Sequence, residues 1–188
     1  MTILFKLPKK NEDFDCEKWI KVDEPIKNKT LYYAVAIGIG VILMDLLRYF
    51  FNIYIDFEFS LYKRLYLLLL IIPIHELLHL VSLKNPLKST ICILPKQFLV
   101  CVIPEEAICN RRFLIMLITP FVILTIIPII LLIFLGVNST TIAYIALYNA
   151  LCCGADILSF FSLSKFPGKS MLKLDVDILY IKRDLGDE

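Results

Sequence analysis

The chain has 188 residues, 59% of them hydrophobic, and a formal net charge of +2. A soluble domain of this length has no core large enough to hide that much apolar surface, so a bilayer is the expected solvent, in line with a mean hydropathy of +0.75. The small net charge and dispersed basic residues give no reason to expect nucleic acid, and the first thirty residues are too charged for the apolar core of a signal peptide.

Residues 1–30 carry seven lysines and read as a cytoplasmic N-terminal segment. Four stretches then follow that are apolar enough to cross about 30 Å of hydrocarbon at about 1.5 Å per residue. They run from Leu31 to about Phe51, from about Leu61 to Leu83, from Arg112 to Gly136 with Pro120 and Pro128 as kinks, and from about Thr140 to Leu163. Between the second and third, two β-rich runs, Thr90–Leu94 and Phe98–Ile103, flank a Pro95-Lys96 turn and predict a hairpin at the membrane face. The tail alternates Leu172, Leu174, Val176 and Ile178, the period of one amphipathic strand. The expected fold is therefore an all-α integral membrane protein. It has four transmembrane helices, a short β-hairpin at about 90–103 and a strand-like cytoplasmic tail over 164–188. The membrane domain spans 31–163. Lysine and arginine fall mainly before the first span, between the second and third, and after the fourth, which places both termini in the cytoplasm.

The six cysteines show no paired CxxC spacing, so a thiolate zinc site is not expected. Cys92 and Cys101 can face each other across the hairpin, where a cytoplasmic location keeps thiols reduced.

Within the second span stands PIHELLHL, and His75 and His79 are the only histidines in the chain. On a helix, positions i and i+4 share a face, so the two imidazoles can grip one zinc ion. Glu76 then lies beside the metal, placed to take a proton from water. Two hydrogen-bonded histidines gluing helices together would be the plainer reading, but ionisable groups within spans are functional by default.

A catalytic zinc takes a third protein ligand. Asp45 pairs naturally with Arg48 on its own helix, and Glu105 and Glu106 stand by Arg111 and Arg112 in a connection. Asp156 has no counter-charge among its helical neighbours and lies at about the depth of His75, so it is the expected third ligand, with Cys152 or Cys153 as substitutes. Asn149, two turns before Asp156, either donates to a substrate carbonyl or oxyanion or holds two helices together. Glu105-Glu106 with Arg111 resembles the paired-glutamate motif of prenyl-protein proteases, but the arginine stands one position too far and no histidine remains to complete that site.

HELLH, the hairpin ending in PEEAICNRR, the Pro120 span and NALCCGAD together resemble a family of small bacterial zincin-type membrane peptidases. That family, long catalogued as a domain of unknown function, is similar to site-2 intramembrane metalloproteases. The resemblance implies zinc held by His75, His79 and Asp156 with Glu76 as catalytic base, and it supplies no target. The expected location is the bacterial cytoplasmic membrane, and the expected substrate is a membrane protein or peptide. The chain departs from the site-2 pattern after Asp156, where Ile157 and Leu158 follow. The rival readings are a non-catalytic metal-binding membrane protein and a zinc hydrolase acting on a lipid or small amide. Oligomeric state has no signature in the sequence.

Overall fold

The computed structural model describes residues 1–5, 19–22, 26, 28–50, 65–94, 99–134, 140–175 and 178–182. The long apolar runs form helices α1 (Lys29–Phe50), α2 (Leu65–Ser82) and α3 (Asn110–Phe134). The last apolar run divides into α4 (Thr140–Cys152) and α5 (Gly154–Ser164), which meet at an angle of 52°. Inside α3, Val122–Ile126 is a π-turn, two residues beyond Pro120 and two before Pro128. Neither proline can donate to the helical ladder, and a local widening is one way for a helix to absorb such gaps.

Two sheets lie beside the helices. Strands β1 (Thr2–Leu4), β3 (Ser89–Leu94) and β4 (Leu99–Pro104) form one sheet in the order β1-β3-β4. Strands β2 (Ile20–Lys21), β5 (Ile108–Cys109), β6 (Met171–Asp175) and β7 (Ile178–Lys182) form the other, in the order β2-β7-β6-β5. In the first sheet β1 runs parallel to β3, and β3 pairs antiparallel with β4, with Cys92 directly opposite Cys101. A buried cluster including Leu80, Val102, Phe113, Met116, Leu172 and Ile181 joins both sheets to α2 and α3.

The all-α, four-span expectation is thus overturned. Among the described residues, seven strands in two sheets accompany the helices, and two helices are long and apolar enough to cross a membrane, or three if the bent α4–α5 pair counts as one. The apolar part of α2, Tyr66–Ser82, falls short of that length. The break in the last run falls where it packs closely on α1. A Cβ on Gly154 would stand 1.8 Å from the Ala36 carbonyl oxygen, so the α4–α5 junction sits backbone-to-backbone on α1. The tail is a two-stranded hairpin rather than one strand, with Leu172 opposite Ile181. The Pro95-Lys96 turn, the basic residues Lys63 and Arg64, and the side chain of Arg48 lie outside the described residues.

Candidate metal centre

His75 and His79 lie one helical turn apart on α2, and both are buried. Asp156 comes from the first turn of α5 and Asn149 from α4. The structure brings the first three together. His75 Nε2 is 3.0 Å from Asp156 Oδ2, His79 Nε2 is 3.4 Å from the same oxygen, and the two Nε2 atoms are 3.1 Å apart. Among the described residues these three form the group of His, Cys, Asp and Glu side chains able to hold a metal. Cys152 and Cys153 are not part of it.

The far side of each imidazole decides what the near side offers. His79 Nδ1 is 2.8 Å from the Met116 carbonyl oxygen, which can only accept, so Nδ1 carries the proton. His75 Nδ1 is 2.9 Å from Asn149 Oδ1. The orientation of that carboxamide is fixed in turn, because its nitrogen faces the Pro120 carbonyl oxygen at 3.0 Å and Thr125 Oγ1 at 2.9 Å. With oxygen forced toward His75, that Nδ1 also carries its proton. Both Nε2 atoms of the neutral rings therefore present lone pairs to a carboxylate oxygen, an arrangement that repels itself unless a cation or proton sits between.

Zinc fits this donor set. Ligand atoms about 2.0–2.1 Å from a tetrahedral zinc stand about 3.3–3.4 Å apart, and the three edges of the triangle measure 3.0, 3.1 and 3.4 Å. Partners on the outer ring nitrogens are what metal-binding histidines use to fix their orientation.

Glu76 is half-buried and lines the same cavity as the triad without joining the three converging atoms. That cavity has a volume of about 450 Å³, and Val100, Cys101 and Val102 of β4 form part of its wall. Asn149 is fully buried; its N–H groups are directed at Pro120 and Thr125, with the Cys153 sulfur also at 3.4 Å, which leaves no donor for a substrate carbonyl.

The remaining acidic residues named from the sequence lie elsewhere. Asp45 is exposed on α1. Glu105 accepts a hydrogen bond from Thr90, and Glu106 binds Lys88 at 2.6 Å and Asn85 at 3.0 Å. The Lys88 ammonium, with Asn85, holds the Glu106 carboxyl below its ordinary range. Met116, Pro120 and Thr125 were not singled out as site residues by sequence reasoning. Their only trace was the proline itself, read as a kink.

A family model described as "putative zincin peptidase" matches residues 68–171, more than half of the chain, and the protein belongs to that family. The matched segment contains His75, Glu76, His79, Asn149 and Asp156, and the zincin class implies zinc as the metal. No curated protein and no solved structure matches the chain.

Proposed function

We propose that the protein is a zinc-dependent peptidase embedded in the membrane, cleaving a peptide bond within or near the bilayer, with His75, His79 and Asp156 holding the ion. The observation that carries this reading is the convergence of two imidazole Nε2 atoms, each ring with its Nδ1 turned to an acceptor, and one carboxylate oxygen on a point beside a cavity that Glu76 also lines. When bound, zinc supplies a Lewis acid that polarises the scissile carbonyl and acidifies water. Glu76 takes the proton from the attacking water and passes it to the leaving amine. Asn149 holds the His75 ring in place rather than touching substrate.

A structural zinc is closed by four protein ligands, whereas three converge here among the described residues and they face a cavity, which favours catalysis over metal storage. Among the described residues strand β4 is the edge of its sheet, and it lines that cavity, so an extended substrate segment can add to it by main-chain hydrogen bonds. Such a substrate must be unwound from any helix before attack, because helical carbonyls are already paired. The apolar walls, including Phe113, Leu117 and Leu163, suit apolar side chains from a membrane protein. Support for embedding comes from the outer face of α2, where Leu70, Ile74, Leu77 and Val81 are all about half exposed, and from the two span-length helices.

The test is Glu76→Gln, assayed with a library of membrane-derived peptides. The reading predicts full zinc content with cleavage lowered by a factor on the order of 10²–10⁴. Undiminished cleavage would end the metallopeptidase reading.

A further inference from the structure

The groups that set the two imidazole tautomers, directly for His79 and through Asn149 of α4 for His75, trace back to one short piece of α3, and that piece is irregular. His79 Nδ1 donates to the carbonyl of Met116. In a regular helix that carbonyl would be taken by the N–H four residues on, which belongs to residue 120. Residue 120 is proline and has no N–H to give. The Pro120 carbonyl itself accepts from Asn149 Nδ2 at 3.0 Å. Two residues later the π-turn begins, and it carries Thr125, whose side chain is fully buried. Thr125 Oγ1 lies 3.2 Å from the Ala146 carbonyl oxygen, an obligate acceptor, so the hydroxyl donates there. Its lone pair is then left for the second Asn149 N–H, at 2.9 Å.

We propose that Pro120 and Thr125 are positioning residues for the metal centre: the proline leaves Met116's carbonyl to His79, and the π-turn threonine locks Asn149 so that its oxygen faces His75. The inference rests on the proposed zinc site but adds residues that neither motif nor family assignment names. The helical defect in α3 serves, on this account, as the template for both histidines. A proline buried in a span is ordinarily a stability cost, here exchanged for ligand geometry.

The test separates a positioning role from a structural one by making the two move in opposite directions. Pro120→Ala restores an N–H that can close on Met116, so the metal-free protein should melt at an unchanged or higher temperature. Its zinc dissociation constant should nevertheless rise about tenfold to a hundredfold, the usual effect of removing an outer-shell partner. Thr125→Val should weaken zinc by a similar factor, and Thr125→Ser, which keeps the hydroxyl, should recover most of it. Zinc affinity is measured on the full chain in detergent micelles by competition with a chelating dye, with His79→Ala as reference. Zinc binding that ignores His79→Ala would overturn the proposed function itself. Binding that is lost in His79→Ala yet unchanged in both Pro120→Ala and Thr125→Val would overturn this inference alone. A Pro120→Ala protein that loses zinc affinity and melts lower would also count against it, as a packing effect.

Discussion

At the scale of single residues, the proposed site separates groups that would hold the ion from groups that would act beside it. His75→Ala, His79→Ala and Asp156→Ala each delete one vertex of the triangle and should strip most zinc from the purified protein, read as zinc per chain. Asn149→Ala leaves all three vertices but removes the acceptor for His75 Nδ1, so zinc should remain bound about tenfold to a hundredfold more weakly. Retention of wild-type affinity in Asn149→Ala would return that side chain to the role of helix glue. The histidines, Glu76 and Asp156 were legible in the sequence because ionisable groups stand out against an apolar background. Met116 was not, because its contribution is a main-chain carbonyl, which any residue type possesses. Its one sequence signal is a proline four positions on.

At the scale of elements, glycines decide how α1 meets the broken α4–α5 pair. A Cβ on Gly40 would lie 2.3 Å from the Leu151 carbonyl oxygen and one on Gly154 1.8 Å from that of Ala36, while one on Gly38 meets nothing within 4 Å. Gly40→Ala and Gly154→Ala should therefore destabilise by about 1–3 kcal/mol, because backbone must move apart. Gly38→Ala should be neutral or stabilising by up to about 1 kcal/mol. Thermal melting of the three variants in one detergent checks the order, and equal behaviour would refute the close packing. The single fourth span expected from hydropathy missed this junction, since apolar residues carry on through the bend.

The hairpin was legible to within a residue or two, because Thr90–Leu94 and Phe98–Ile103 are β-branched and turn-bounded. Strands of three and two residues, such as Thr2–Leu4 and Ile20–Lys21, are too short for alternation to register. The hairpin thiols carry a further expectation. Burial pushes the Cys101 thiol up to about 12, with its neighbours Cys92 and Glu76 adding to the shift. At neutral pH its thiolate is scarcer than that of a free cysteine, offset in part by greater nucleophilicity. Maleimide labelling of Cys101 in the folded protein should be about a hundredfold slower than that of an unstructured thiol and should accelerate as pH rises. Labelling as fast as free cysteine would place that thiol in solvent.

At the scale of the whole molecule, the sheets tie distant parts of the chain to one face. Strand β1 near the N-terminus pairs with the hairpin strand β3, and β2 pairs with β7 of the tail. Seventeen of the twenty lysines and arginines fall in residues 1–30, 84–112 and 165–183, the same regions that build the sheets. By the positive-inside rule this face should be cytoplasmic. Reporters fused at residue 188 and inserted within 95–98 should both give cytoplasmic signals, and opposite signals would contradict the arrangement. Hydropathy led to an expectation of four spans, whereas among the described residues two helices, or three with the bent α4–α5 pair, are long and apolar enough to cross, because apolar composition does not register a bend such as the one between α4 and α5. The central claim is that two imidazoles and one carboxylate, with no thiolate, hold zinc beside Glu76. Zinc-edge X-ray absorption on the zinc-loaded full chain tests it most directly. The account predicts a first shell of nitrogen and oxygen alone at about 2.0–2.1 Å, with the multiple-scattering pattern of two imidazoles. A sulfur shell at about 2.3 Å would place Cys152 or Cys153 in the site instead of Asp156 and contradict the account.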